Sequence, residues 1–192
     1  MSRRIAIVQG HPEPHSEHYG HALMRAYREA AEQAGHHVKE VRIADLDFPI
    51  LRSKAEWDRE APPAIAEAQY DIAWAEHLVL EFPLWLGGMP ALLKGFLEQV
   101  LRPGFAFDPK KGPMSPRLKG KSAHIVVTMG MPAAAFRFLS LAHGVKTLDR
   151  SILKFTGVAP IRTTLIGRVE SGGAQWREKW IGKMREFGAN AL

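Results

Sequence analysis

The chain contains no cysteine. That absence excludes disulfides, thiolate zinc sites, iron–sulfur clusters and cysteine nucleophiles together, and it fits a reducing compartment such as the cytoplasm. Long apolar runs are missing as well. The first one, Ile5 to Val8 behind Arg3 and Arg4, is far too short for a signal-peptide core or a membrane span, so a cytoplasmic protein without membrane insertion is expected. The net charge is +6, yet no dense basic run accompanies it. Scattered Lys and Arg argue against nucleic-acid binding and for a solvated surface, or for attraction of a phosphorylated small molecule. Repeats, linkers and low-complexity tracts are also lacking, and a single domain over residues 1–192 is the expectation.

What is present is an alternation. Five runs read as strands: Ile5 to Val8, Val38 to Ile43, Leu78 to Phe82, Ile125 to Thr128 and Val158 to Ile166. The second alternates Val38, Val41 and Ile43 with charged residues and reads as more exposed than the rest. Helical spacing lies between and after them. It appears in Leu23, Ala26, Ala30 and Ala34 before Gly35, and in Ala64 to Glu76 behind Pro62 and Pro63. It recurs from Pro90 through Leu93, Phe96, Leu97 and Val100, in Phe138 to Phe155, and in the stripe Trp176, Trp180, Met184 and Phe187. Five strands alternating with five helices predict an α/β three-layer sandwich, a mostly parallel sheet with helices on both faces. Pro160 has no N–H to give a ladder, which places the last strand at an edge. Two irregular stretches, Ala44 to Pro63 and Pro103 to Arg117, are long enough to cover a site or meet a partner subunit.

Open α/β sheets bind ligands beyond the carboxyl ends of their strands. The loop after the first strand is Gln9-Gly10-His11-Pro12-Glu13-Pro14-His15-Ser16-Glu17-His18. It has neither G-x-G-x-x-G nor G-x-x-x-x-G-K-[ST], which disfavours a Rossmann-type nicotinamide domain and a nucleotide hydrolase. A helix start offers free amides and a positive dipole end to an anion. Ser16 adds a hydroxyl, and His11 and His18 add imidazole donors that carry charge when protonated, a set that suits a flavin phosphate. Ser16 alternatively reads as the helix N-cap. A metal set of His11, His15 and His18 lacks a carboxylate-rich partner segment.

The loop after the third strand, Glu81-Phe82-Pro83-Leu84-Trp85-Leu86-Gly87-Gly88-Met89-Pro90, puts a large aromatic at a loop tip beside two glycines. A flat apolar wall with closely approaching backbone amides is what an isoalloxazine ring needs. The plainer alternative is that Trp85 packs in the core and the glycines make a turn.

Gly10-His11-Pro12 with Ser16, Phe82-Pro83-Leu84-Trp85, Met89 to Gly95, Gly104-Phe105-Ala106-Phe107 and Leu118 to Thr128 together resemble the NAD(P)H:quinone oxidoreductases with a flavodoxin-like fold. That family also holds bacterial modulators of drug activity and ancillary proteins of potassium-efflux systems. The likeness weakens beyond Met131. The resemblance implies a five-stranded parallel sheet in order 2-1-3-4-5, whose ligand site falls where the order reverses, between strands one and three. It implies tightly bound FMN or FAD and hydride transfer from NAD(P)H. Two-electron reduction of a quinone-like acceptor would complete a ping-pong cycle, and homodimers are the family's usual assembly.

By position, His11, Ser16, Glu17 and His18 match the family's phosphate and ribityl loop, although relatives often carry Asn where His18 stands. Pro83, Leu84, Trp85, Leu86 and Gly87 match its ring-binding loop, and Thr128, Met129 and Gly130 its third flavin loop. Well-known members place a Tyr, and a His a few residues on, beside the flavin. Here Phe136 stands where the Tyr does and cannot donate a proton. His143 is left to face the flavin alone and stabilise its reduced, anionic ring, unless it is a plain surface histidine. Trp57, Trp176 and Trp180 either anchor a dimer or pack in the core. A flavodoxin-type electron carrier and a redox-sensing regulatory subunit of a transporter remain the alternatives, the carrier disfavoured because such proteins are usually acidic.

Overall fold

Side chains buried on both sides of a strand place it at the centre of a sheet covered twice, and every residue from His77 to Phe82 is buried. In the computed structural model this strand is β3 (His77–Pro83), and residues 1–14, 18–111, 115–139 and 141–192 are described, Leu139 by its backbone only. The other strands are β1 (Arg4–Gln9), β2 (His37–Arg42), β4 (Ser122–Thr128) and β5 (Ile161–Ile166). All pair in parallel, in the order β2-β1-β3-β4-β5. The order expected from the resemblance is therefore observed, and it reverses between β1 and β3.

Among the described residues, seven α-helices connect or flank the strands: α1 (Tyr19–Gln33), α2 (Lys54–Trp57), α3 (Pro63–Trp74), α4 (Ala91–Val100), α5 (Ala133–Leu139), α6 (His143–Lys146) and α7 (Gly173–Ala189). The period of two along each strand sorts its side chains between two cores. Ile5, Ile7, Val79, Val126 and Ile166 pack under Leu23, Met24 and Tyr27 of α1 and Met184 of α7. Ala6, Val8, Leu80, Phe82, Ile125 and Val127 face Ile65 of α3 and Leu93, Phe96 and Val100 of α4. Each large apolar side chain so buried contributes roughly 1.5–3 kcal/mol. β5 lies at the edge, as Pro160 requires, and its carbonyl accepts from the Ala123 N–H at 2.9 Å.

One expected helix is broken. Phe138 to Phe155 reads as a single periodic run, but α5 starts at Ala133, and Leu141 and Ala142 take left-handed backbone (φ +48° and +50°) that no α-helix passes through. The chain restarts as α6 and continues as a π-helical segment over Thr147–Leu153. Tertiary packing overrides the periodicity, because Val145 and Leu148 must reach the core that Phe136 already enters from α5.

The long loop before α3 is clamped rather than loose. The buried guanidinium of Arg102 donates to the carbonyls of Gln99 (2.9 Å), Glu56 (2.8 Å) and Arg59 (3.0 Å), so a cation just beyond the end of α4 satisfies backbone acceptors that the loop cannot pair itself. Among the described residues, no helix is long and apolar enough to cross a membrane.

Candidate functional site

The carboxyl ends of β1, β3 and β4 lie side by side, and their loops are tied by backbone bonds. The Gly10 N–H donates to Glu81 O at 2.6 Å, and the Leu84 N–H to Thr128 O at 2.8 Å. Three loops the sequence singled out separately thus form one site at the point where strand order reverses.

The first loop gathers imidazoles. The rings of His11 and His18 stack with centroids 3.6 Å apart, and His21, on the first turn of α1, meets both edge-on. Burial, then the neighbouring His18 and His21, push the His11 pKa down to about 4. His11 is therefore neutral near pH 7 and can act there as a donor without adding charge. Its Nδ1 accepts from the Glu13 N–H at 3.1 Å, which leaves the proton on Nε2 as a donor. His18 occupies the N-cap of α1 without a side-chain cap bond and pairs with Glu13 Oε2 at 2.8 Å. Ser16 and Glu17 lie outside the described residues, as does His15.

The third-strand loop closes on a tight turn. The Trp85 N–H donates to Gly88 O (2.9 Å) and the Gly88 N–H to Trp85 O (3.0 Å), with Leu86 and Gly87 both at positive φ (+46° and +81°). This is a type I′ turn, which Gly tolerates at no cost and Leu only with strain. Gly88 spends its amide inside the turn, whereas among the described residues Leu86 and Gly87 give theirs to no acceptor. Trp85 is half exposed, its ring centroid 6.4 Å from that of His11, and Leu86 is fully exposed. The core-packing alternative for Trp85 fails. Pro83 and Leu84 are partly buried at the strand end.

The third loop divides its roles. Thr128 is nearly buried and Gly130 is exposed, but the Met129 side chain packs in the core, its N–H bonds Ile166 O (2.9 Å) and its carbonyl accepts from Val169. Met129 has little left to offer a ligand. His143 is exposed at the start of α6, and the next residue fixes where that helix sits. A Cβ on Gly144 would lie 2.2 Å from Gly87 O, so α6 rests directly on the Trp85–Gly88 turn.

Beneath the loops runs a polar row that the sequence reading did not single out. Gln9 donates to Glu40, Thr128 Oγ1 reaches Glu81 Oε1 at 3.4 Å, and both Gln9 Oε1 and Glu81 Oε2 are buried without a partner among the described residues. An acid inside the apolar run Leu78-Val79-Leu80-Glu81-Phe82 was the available signal. At the far end of the sheet His77 and His124 are buried and kept neutral, mainly by desolvation, with pKa values pushed down to about 3 and about 4. Among the described residues, no cluster of three or more His, Asp or Glu side chains is arranged to hold a metal ion.

An open groove of 560 Å³ lies elsewhere, between the two long loops, lined by Trp57, Leu97, Leu101, Phe107 and Phe155 with Lys94 and Arg52. No residue of the three strand-end loops borders it. Trp57 is partly buried and donates to Glu98 O at 3.2 Å, while Trp176 and Trp180 pack along α7 with Trp176 Nε1 on Gly167 O at 3.0 Å.

The parallel order β2-β1-β3-β4-β5 puts this chain among the open-sheet α/β proteins, and the gathered donors and exposed aromatic lie at its switch point, where proteins of that class place their ligand sites. The chain belongs to the flavodoxin-like fold family, whose profile matches residues 3–186. It is 32% identical over 160 residues to a ribosyldihydronicotinamide dehydrogenase-like protein of Penicillium crustosum, covering 66% of this chain and 57% of the relative. It is 27% identical to the NAD(P)H dehydrogenase [quinone] 1 of Rattus norvegicus, over 85% of this chain and 68% of the rat protein. The crystal structure of Smu.1420 from Streptococcus mutans superposes with a TM-score of 0.79 at 28% identity, covering 97% of this chain and 98% of that one. The resemblance read from the motifs and the fold it implied are both borne out.

Proposed function

We propose that the chain is a flavin-dependent NAD(P)H:quinone oxidoreductase that takes FMN or FAD at the joined ends of β1, β3 and β4. The observation that carries the reading is the strained turn at Trp85–Gly88. It holds a half-exposed indole and, among the described residues, two unclaimed amides on one rim, over buried polar atoms that have no partner there. A tricyclic ring with an apolar face and a polar edge fits such a rim. The names of the Penicillium and rat relatives point to the same chemistry.

A bound flavin would supply the redox step, taking two electrons from NAD(P)H and passing them to a quinone-like acceptor in turn. The chain's own residues position and insulate it. Trp85 walls one side of the site, and Pro83 and Leu84 anchor that wall to β3. The amides of Leu86 and Gly87 donate to the ring's polar edge, and strain in the turn keeps them aimed outward. His11 Nε2 and His18 serve the phosphate and ribityl end together with the α1 N-terminus, where Ser16 and Glu17 take part by position. Thr128 and the Gly130 backbone complete the third side. Met129 acts through the fold. His143, carried by α6 onto the Trp85–Gly88 turn, would face the ring and steady negative charge that develops there.

A homodimer belongs to the same proposal. Trp57, Phe107 and Phe155 leave apolar surface around the groove that a second copy would cover.

Purified protein is incubated with FMN or FAD, desalted and scanned, then mixed with NADH or NADPH and a soluble quinone. Retained flavin absorbance and quinone-dependent oxidation of the nicotinamide support the reading. Retained flavin with no turnover would move it to an electron carrier.

A further inference from the structure

Glu81 is the most deeply buried acid described in the molecule, and its surroundings are unusual for a carboxylate. It points from β3 toward α1, so closely that a Cβ on Gly20, the second residue of that helix, would lie 2.2 Å from Glu81 Oε1 and 2.7 Å from Oε2. The carboxyl group therefore sits against the first turn of α1, where a phosphate would be drawn. Among the described residues, the one side chain that donates to it is Thr128, at a long 3.4 Å, and Oε2 has no partner at all. A buried carboxylate is kept ionised by several short donor bonds or a cation, and neither is present.

A second orphan stands beside it. Gln9 is the registered partner of Glu81 on β1, on the same face of the sheet, and its Oε1 is buried without a donor while its Nε2 is committed to Glu40. Two acceptors without donors on neighbouring strands carry a double desolvation cost. A single proton on Glu81 turns one of them into a donor. The groups around the carboxyl group agree. Gln9 and Thr128 are neutral, Gly20 offers only backbone, and Glu40 on β2 is already paired with Arg28 at 2.8 Å. On α1, His18 pairs with Glu13, while His21 faces His11 and His18. On α7, the Arg177 guanidinium reaches Val169 O at 3.4 Å.

We infer that Glu81 is a positioning residue that works as a neutral acid, bridging β1, β4 and the first turn of α1, and that its proton is a condition for tight binding of the cofactor's phosphate end. Burial supports this independently, raising the Glu81 pKa to about 8. When the proton leaves, a fixed negative charge under the α1 N-terminus occupies the positive end that an anionic ligand would use, and it repels that ligand through protein rather than water. The inference rests on the flavin reading for its ligand and on the fold alone for its proton.

The probe is FMN, which carries the ring, ribityl and phosphate that both candidate flavins share. Apoprotein is titrated with FMN by fluorescence quenching at pH 7 and pH 9.5, between which the phosphate monoester, already largely ionised at pH 7, changes its charge by only a small fraction, equally for both proteins. Wild type is expected to lose on the order of tenfold in affinity across that interval, whereas Glu81→Gln, which keeps shape and neutrality, holds a flat profile. Parallel profiles in the two proteins overturn the inference and leave the flavin reading intact. No FMN binding at any pH sinks both. Should the Gln variant fail to fold, the carboxyl carbon of Glu81 in wild-type apoprotein is followed by NMR. A midpoint in the usual carboxylate range overturns the inference, and a midpoint several units higher upholds its proton.

Discussion

Gly144 offers a direct test of how the site is assembled, because its contacts are all backbone. A Cβ there would lie 2.2 Å from Gly87 O, 2.7 Å from Gly88 Cα and 3.0 Å from Gly87 C. No side chain can rotate away, so Gly144→Ala forces α6 off the Trp85–Gly88 turn. Overpacking of this kind costs about 1–3 kcal/mol. In a chain of this length each kcal/mol is worth about 2–4 °C in Tm. The same substitution at Gly182, on the exposed side of α7 with nothing within 4 Å, removes only the backbone freedom of a helical glycine and stabilises by about 0.5–1 kcal/mol. Calorimetry of the two flavin-free variants is therefore expected to move Tm in opposite directions, down for Gly144→Ala and up for Gly182→Ala. FMN affinity is expected to fall only in the first. A Gly144→Ala protein as stable as wild type would show that α6 does not rest on the turn, and the placement of His143 would fall with it.

Stability is expected to peak near pH 6.5. Below it the unfolded chain binds protons at His77 and His124 that the folded chain refuses, so each costs up to about 1.4 kcal/mol per pH unit as pH falls from 6.5 toward the folded values of about 3 for His77 and about 4 for His124. Glu81 acts with the opposite sign. Its folded form keeps a proton that the unfolded form loses, so stability declines as pH rises from 4.5 to about 8. Urea midpoints at pH 4.5, 6.5 and 8.5 check this, and a steady rise to pH 8.5 contradicts it. Trp85→Ala is expected to weaken FMN binding by on the order of tenfold or more through lost ring stacking, with little change in Tm because the indole is half exposed. Equal affinities would remove Trp85 from the site. His143→Ala is expected to slow flavin reduction by NAD(P)H roughly a hundredfold in stopped flow, and an unchanged rate would return His143 to the surface.

Much of the fold is legible in the residues, for a physical reason. Apolar runs such as Leu78 to Phe82 can only be central strands, and Pro160 can only sit where an N–H is not needed. The break at Leu141 and Ala142 is not legible, because it follows from tertiary contacts, Val145 and Leu148 in the core and Gly144 on Gly87, between segments far apart in the chain. The loops carrying His11 and Trp85 could be named from residue types at strand ends, and the loop carrying Thr128 from the family resemblance. Their electrostatics could not: the sequence leaves the charge of His11 open, and its neutral state follows from its burial beside His18 and His21. Glu81 opens the loop sequence without drawing attention, because its burial depends on Gly20 leaving room beneath α1. Met129 illustrates the reverse, a residue placed by motif at the ligand whose side chain belongs to the core.

The central claim is that the joined ends of β1, β3 and β4 hold a flavin. Equilibrium titration of the purified apoprotein with FMN and with FAD, followed by absorbance and by Trp85 quenching, tests it most directly. Saturable binding of one flavin per chain, weakened by Trp85→Ala, is the predicted result. A protein that stays colourless and leaves added FMN and FAD free in solution would contradict the account.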